Sequence, residues 1–194
     1  MELNPELLHR SNTDKYHFVG MGSCGSNLSK HLYLMGAQAQ FTVIINSERT
    51  HHASFRTIHY TLPECGHYKH KNWSSKKLRL TKKITSLFNE NLAYIFVLGL
   101  GGTGTVLLYS LIPWLLEKKI DFKIICSFPS LWEGKRRVNT AGVLFSKMNG
   151  QPFFDCFRLD DLIKISGDTT VKETLQKSDE HFYTLLTNLI IQRN

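Results

Sequence analysis

The 194-residue sequence contains no CxxC pair, no internal repeat and no low-complexity or linker segment. Its cysteines, Cys24, Cys65, Cys126 and Cys156, lie far apart, which is typical of free thiols in a reducing compartment rather than of a disulfide framework. The opening residues, MELNPELLHR, are acidic and polar, so the basic and apolar pattern of a secretory signal is missing. These absences predict one cytoplasmic domain over residues 1–194.

Charge is missing from one long stretch, because Leu92 to Leu116 contains no Lys, Arg, Asp or Glu. A run of that length is long enough to cross a membrane. However, four of the six residues in Gly99–Gly104 are glycines, and Pro113 follows, so a membrane helix would be weak at its centre. We therefore interpret the stretch as a buried strand, a glycine-rich turn and a buried helix, with no transmembrane segment.

Positive charge, in contrast, is plentiful: the net charge is +8, and much of it lies in residues 67–83. We favour a solvated helix face after a loop as the explanation of this basic segment. The alternative is an electropositive patch for nucleotide phosphates, nucleic acid or an acidic membrane. Charge alone does not choose among these partners.

Strand patterns alternate with helix patterns along the chain. Strands are predicted at residues 15–21, 41–46, 92–99, 121–128 and 153–159, and helices at 27–36, 103–118, 133–148 and about 169–192. The last of these helices is long and amphipathic. The predicted fold class is α/β: a three-layer, mostly parallel sheet with helices on both faces, forming a Rossmann-like nucleotide-binding domain.

Two glycine-rich turns each follow a predicted strand and precede a helix. The first glycine turn, Gly20–Gly25, has the spacing GxGxxG, and the second glycine turn is Gly99–Gly104. Both open at the same edge of a parallel sheet, where helix N-termini offer free N–H groups to an anion. Thr103 and Thr105 add hydroxyl groups, but no lysine follows Gly104 as in a Walker loop. The turns predict a phosphate site that uses backbone dipoles, hydroxyls and a metal ion.

Several segments, in order, resemble the loops of FtsZ, the bacterial tubulin-like cell-division GTPase. SFPSLWEGKRR, residues 127–137, has FtsZ's pattern of proline, three residues, glutamate, glycine and basic residues. VGMGSCGSN is similar to the first phosphate loop, Asn46-Ser47-Glu48 to the Asn-Thr-Asp loop, and GLGGTGT to the tubulin signature. The resemblance runs from about residue 15 to the end of the sequence and implies an FtsZ/tubulin nucleotide-binding domain.

The resemblance also implies a site for GTP or GDP, with or without Mg²⁺. The β- and γ-phosphates would lie against Gly101, Gly102, Thr103, Gly104 and Thr105. The α/β-phosphates and guanosine would lie near the loops that contain Gly20, Gly22, Ser23, Cys24, Gly25, Asn27 and Asn46. Glu133 would accept hydrogen bonds from ribose hydroxyls, with Pro129 and Arg137 beside it. Asp179 and Glu180 occupy the positions of the family's guanine-reading Asn-Asp pair.

The sequence departs from the family pattern in three places. The second glycine turn is one glycine shorter, and Val106 replaces the last glycine of the signature. CGHYKHKNW stands in place of GAGANP, where His67, Lys69 and His70 either reach the phosphates or form a solvated loop. A zinc site at Cys65, His67 and His70 is poorly supported by this spacing, and we predict no metal site there.

The third departure is at the end, because the sequence stops at Asn194 without the family's acidic loop after the long helix. We therefore assign no catalytic residue and expect weak or no hydrolysis by this chain alone. The expected partners are a guanine nucleotide, and either a second copy of the chain or a full-length FtsZ-like homologue.

Two other classes of function remain open from the residues themselves. The GxGxxG turn, with Glu48 near the ribose-binding position, is compatible with a dinucleotide-dependent oxidoreductase or an adenylating enzyme. The basic segment 67–83 is compatible with a module that binds nucleic acid or an acidic membrane.

Overall fold

The computed structural model describes residues 16–34, 39–45, 56–59, 80–166 and 170–193. Its six strands form one sheet in which every pair of neighbours is parallel. The order across the sheet is β3-β2-β1-β4-β5-β6. The strands are β1 Tyr16–Met21, β2 Gln40–Ile45, β3 Arg56–His59, β4 Ala93–Gly99, β5 Phe122–Phe128 and β6 Phe154–Arg158.

Helices cover both faces of this sheet, as the sequence predicts. They are α1 Gly22–Leu34, α2 Lys82–Thr85, α3 Thr103–Glu117, α4 Lys135–Met148, α5 Leu159–Ser166 and α6 Val171–Arg193, with a 3₁₀ turn at Leu131–Glu133. One core joins α3 and α4 to the sheet through side chains such as Leu111 and Leu144. The other core joins α1 and α6 to the opposite face through side chains such as Leu32 and Phe182. The predicted three-layer α/β fold is confirmed.

The charge-free stretch contains the central strand β4 and the helix α3. Tyr94 to Leu98 are all buried, because a central parallel strand is covered on both faces. Pro113 lies inside α3 rather than at its end. Among the described residues, no helix combines the length and the apolar character that crossing a bilayer requires.

β3, α5 and the start of α1 differ from the sequence-based expectation. β3 and α5 were not predicted, because a four-residue strand and an eight-residue helix are too short to show a clear period. α1 begins at Gly22 rather than near Asn27, so β1 passes into the helix with no loop between them. The second and third glycines of the GxGxxG pattern therefore belong to a helix.

Candidate functional site

The two glycine turns meet at the centre of the sheet. β1 and β4 are neighbours at the centre of the sheet. After β1 the chain adds β2 and β3 on one side, and after β4 it adds β5 and β6 on the other side. In open parallel sheets, ligands bind in the crevice that such a reversal leaves at the carboxyl ends of the strands. The first glycine turn spans the junction of β1 with α1 and the second spans the junction of β4 with α3, so both border this crevice.

A cavity of about 330 Å³ occupies this position. Among the described residues, those that line it are Met21, Gly22, Ser23, Cys24, Gly99, Gly101, Gly102, Thr103, Gly104, Glu133, Arg136 and Arg137. Most of the predicted site residues are in this set, although they come from three separate segments of the chain. Met21 and Arg136 also line the cavity, although neither is among the predicted site residues.

Gly20 and Gly25 do not line the cavity; they are instead sites of close packing between backbone segments. A Cβ atom at Gly20 would lie 2.4 Å from the Gly25 carbonyl oxygen, and one at Gly25 would lie 2.3 Å from the Val97 carbonyl oxygen. No side chain fits at these distances, so the two glycines allow α1 to pack directly on β1 and β4. Gly22, with φ of +69°, makes the sharp change of direction between strand and helix.

Gly101 and Thr105 hold the second glycine turn in shape. Gly101 has φ of +96°, and a Cβ atom there would lie 2.2 Å from Cγ of Arg137. Its N–H donates to Oγ1 of Thr105 over 2.8 Å, and the Thr105 side chain is fully buried. Thr105 thus stabilises the turn through this buried hydrogen bond, and it is not among the described residues that line the cavity.

Gly102 is the residue at which the second glycine turn faces open space. It precedes the first residue of α3 with φ of −104° and ψ of −167°. A Cβ atom there would meet no atom within 4 Å. The backbone of Gly102 and the first turn of α3 are therefore accessible from the cavity, at the positive end of a 15-residue helix.

Glu133 and Arg137 line the cavity beside the second glycine turn. Oε1 of Glu133 accepts a hydrogen bond from the Ser130 N–H over 3.2 Å, and Oε2 pairs with Nη1 of Arg137 over 3.0 Å. Nε of Arg137 also donates to the Leu100 carbonyl over 3.3 Å. This ion pair therefore connects α4 to the second glycine turn.

Cys24 lies beside Gly99, because a Cβ atom placed on Gly99 would be 3.4 Å from the Cys24 sulfur. Burial, with the negative charge of Asp179 as the next cause, raises the pKa of the Cys24 thiol to about 12. The thiol is therefore neutral at physiological pH and is not an activated nucleophile. Asp179 therefore acts electrostatically on a residue that lines the cavity.

Asp179, Glu180, Asn27 and Pro129 are described by the structure but are not among the residues that line the cavity. Asp179 is half-buried on α6, and burial raises the pKa of its carboxyl group, partly opposed by His31. Glu180 and Asn27 are exposed, and Pro129 is buried just after β5. Asn46 lies outside the described residues, directly after β2.

Two further expectations concern charge and metal ions. Of the basic segment 67–83, the structure describes only the last residues, where Lys82 and Lys83 are exposed on α2. Cys65, His67, Lys69 and His70 lie outside the described residues. Within the described ranges, no three His, Cys, Asp or Glu side chains are grouped so as to hold a metal ion.

No family model and no curated protein matches the sequence, but solved structures do match the fold. FtsZ from M. jannaschii, solved as an empty dimer, has a TM-score of 0.71 at 19% identity, over 97% of this chain and 59% of that one. TubZ from bacteriophage PhiKZ has a TM-score of 0.62 at 13% identity, over 91% and 61%. The phage tubulin PhuZ with GDP has a TM-score of 0.62 at 13% identity, over 92% and 56%.

This chain spans 56% to 61% of the length of these three structures. Its parallel sheet and its helices on both faces agree with theirs over almost all of its length. The chain has the FtsZ/tubulin-like fold.

Proposed function

We propose that this chain binds a guanine nucleotide in the cavity between the two glycine turns. The observation that carries the proposal is the set of residues that line the cavity: both glycine turns contribute to it together with Glu133 and Arg137. The cavity lies where β1 and β4 meet, the point at which the strand order along the chain changes direction. The structural relative PhuZ was solved with GDP, which supports the same class of ligand here. The dinucleotide-enzyme and basic-module alternatives receive no comparable support.

In this proposal the phosphates lie against the second glycine turn. Gly102, Thr103 and Gly104 present backbone N–H groups and one hydroxyl at the N-terminus of α3, which suits an anion, and Gly101 lines the cavity beside them. Thr105 contributes by holding the N–H of Gly101 in place. A Mg²⁺ ion would enter with the nucleotide, because Mg²⁺ in such sites is bound largely by phosphate oxygens and water.

The nucleoside lies between the first glycine turn and the two acidic positions. Gly22, Ser23 and Cys24 approach the sugar and the α-phosphate, and Glu133 accepts hydrogen bonds from the ribose hydroxyls. Asp179 accepts from N1–H and the 2-amino group of guanine, a pair of donors that adenine lacks. Glu180, Asn27 and Asn46 are assigned to the outer part of this site.

We also propose that the polypeptide of residues 1–194 forms a single domain and that, assayed alone, it hydrolyses GTP slowly. Phosphoryl transfer to water requires a group that orients the attacking water molecule. Glu133, the carboxylate among the described lining residues, binds Ser130 and Arg137 and is assigned here to the ribose hydroxyls rather than to the attacking water. In this proposal a second copy of the chain or a full-length FtsZ-like homologue supplies such a group, and the FtsZ relative was solved as a dimer.

The described cysteines, Cys24, Cys126 and Cys156, are free thiols, which supports a cytoplasmic location within this proposal. Binding is tested by isothermal titration calorimetry of the purified chain with GDP, GTP, ATP and NAD. We expect saturable binding of GDP and GTP at least about tenfold tighter than binding of ATP or NAD. Equal or tighter binding of ATP or NAD would reject the proposal.

A further inference from the structure

Ser130 lies two residues after the end of β5, directly before the 3₁₀ turn that carries Glu133. Its side chain is only 2% exposed, and its Oγ donates a hydrogen bond to Oδ1 of Asp160. Asp160 is the second residue of α5, the helix that directly follows β6. The contact therefore joins two segments that are 30 residues apart in the sequence.

The 3₁₀ turn has little apolar anchoring of its own. Leu131 is 74% exposed and Trp132 is 49% exposed, so these two side chains contribute little burial to hold the turn. Ser130 and Glu133 instead form a reciprocal capping box, in which the Ser130 N–H donates to Oε1 of Glu133. The direction of the Glu133 carboxylate thus depends on where Ser130 is held.

The same polar chain continues from Glu133 to the second glycine turn. Oε2 of Glu133 pairs with Arg137, and Nε of Arg137 donates to the carbonyl of Leu100. Asp160, Ser130, Glu133, Arg137 and Leu100 therefore form one continuous path from α5 to the cavity. Removing the first member leaves the Ser130 hydroxyl buried without this acceptor, which favours movement of the turn.

We propose that Asp160 is a positioning residue for the ribose-binding acid. It fixes Ser130 and, through the capping box, aims the Glu133 carboxylate at the ribose hydroxyls. Asp160 thereby sets the preference for a ribonucleotide over an analogue without these hydroxyls. This inference rests on the proposed function, and it assigns a role in the site to a helix that does not line the cavity.

The test compares GTP with 2′,3′-dideoxy-GTP in four proteins: wild type, Asp160→Ala, Asp160→Asn and Asp161→Ala. Asp161 is the matched control, because it is the neighbouring acid in the first turn of α5 but pairs with Lys164 over 3.7 Å instead of with Ser130. Asn at position 160 keeps an oxygen that accepts from Ser130. Dissociation constants are measured by calorimetry, and melting temperatures are recorded for each protein.

We expect the wild type and Asp161→Ala to prefer GTP by about tenfold or more, because the analogue leaves the Glu133 carboxylate without its ribose partners. Asp160→Ala should lower this ratio at least about fivefold, and Asp160→Asn should restore it to within about twofold of the wild type. If Asp160→Ala does not fold, Ser130→Ala, which deletes the donor, must show the same loss of preference.

If Asp160→Ala keeps the wild-type preference for GTP over 2′,3′-dideoxy-GTP, the proposed function stands but the role assigned to Asp160 is overturned. An equal loss of affinity for both nucleotides in Asp160→Ala would also overturn it, since that pattern indicates a general structural effect. Failure of the wild type to bind GTP at all would instead reject the proposed function, and this assignment with it.

Discussion

Gly101 and Gly102 are adjacent, yet the structure predicts opposite consequences of replacing them. At Gly101, a Cβ atom would lie 2.2 Å from Cγ and 2.6 Å from the carbonyl oxygen of Arg137, and φ is +96°. The unfavourable backbone conformation alone costs about 1 to 2 kcal/mol in a residue with a side chain. With the clash against α4 added, we expect Gly101→Ala to lower the free energy of unfolding by about 3 kcal/mol.

Gly102→Val should have little effect on the fold and a large effect on binding. The position has an extended backbone that valine accepts, and no atom lies within 4 Å of a Cβ placed there. Loss of glycine before α3 costs about 1 kcal/mol at most. The valine side chain would enter the 330 Å³ cavity where a phosphate meets backbone N–H groups, so GDP affinity should fall more than about a hundredfold.

The assay combines urea unfolding with GDP titration for the wild type and both variants. Gly102→Ala is an intermediate control, with a smaller side chain and a smaller loss of affinity. Unchanged GDP affinity in a folded Gly102→Val protein would refute the placement of the phosphates. A Gly101→Ala protein as stable as the wild type would refute the close contact between the second glycine turn and α4.

Three further predictions concern the base, catalysis and stability. Asp179→Ala should remove the preference for GTP over ATP, by about tenfold to a hundredfold in relative affinity, while phosphate contacts remain; equal losses for both nucleotides would indicate only a structural role. Phosphate release from GTP should be slow, and a steep rise with the concentration of this chain alone would show that it completes its own catalytic site. Burial, with Arg56 as a second cause, lowers the pKa of His17 from 6.5 to about 4, so the folded state keeps this histidine neutral. The contribution of neutral His17 to the free energy of unfolding is therefore full above about pH 6.5 and falls with the pH, by about 2 to 3 kcal/mol at pH 4.5. The urea midpoint of His17→Gln should depend less on pH than that of the wild type. An identical pH dependence of the two proteins would contradict the prediction.

The sheet and the position of both glycine turns were predictable because they depend on local patterns. β4 and β5 are apolar runs bounded by polar or glycine residues, and parallel strands place their carboxyl ends at one edge. The capping box also has a sequence signature, because Ser130 and Glu133 have the S-x-x-E spacing. Patterns of this kind need no knowledge of distant residues.

The individual tasks of several residues depend on distant contacts and were not predictable. Gly25 looks like a ligand-binding glycine, but its approach to the Val97 carbonyl exists only once α1 packs on β4. Thr105 looks like a free hydroxyl donor until its bond with the Gly101 N–H is seen. Asp160 reads as an ordinary acid in a short helix, and its contact with Ser130 arises only from the pairing of β5 with β6.

The central claim is that the cavity between the two glycine turns binds a guanine nucleotide, and the most direct test is the thermal unfolding of this chain with GTP, GDP, ATP and NAD. A ligand that binds only the folded state stabilises it by about 2.7 kcal/mol at one hundred times its dissociation constant. For a domain of this size, that corresponds to a rise in melting temperature of about 5 to 10 °C. We predict this rise with GTP and GDP and little change with ATP or NAD at the same concentration. A melting temperature that is unchanged by GTP and GDP, or raised equally by ATP, would contradict the account.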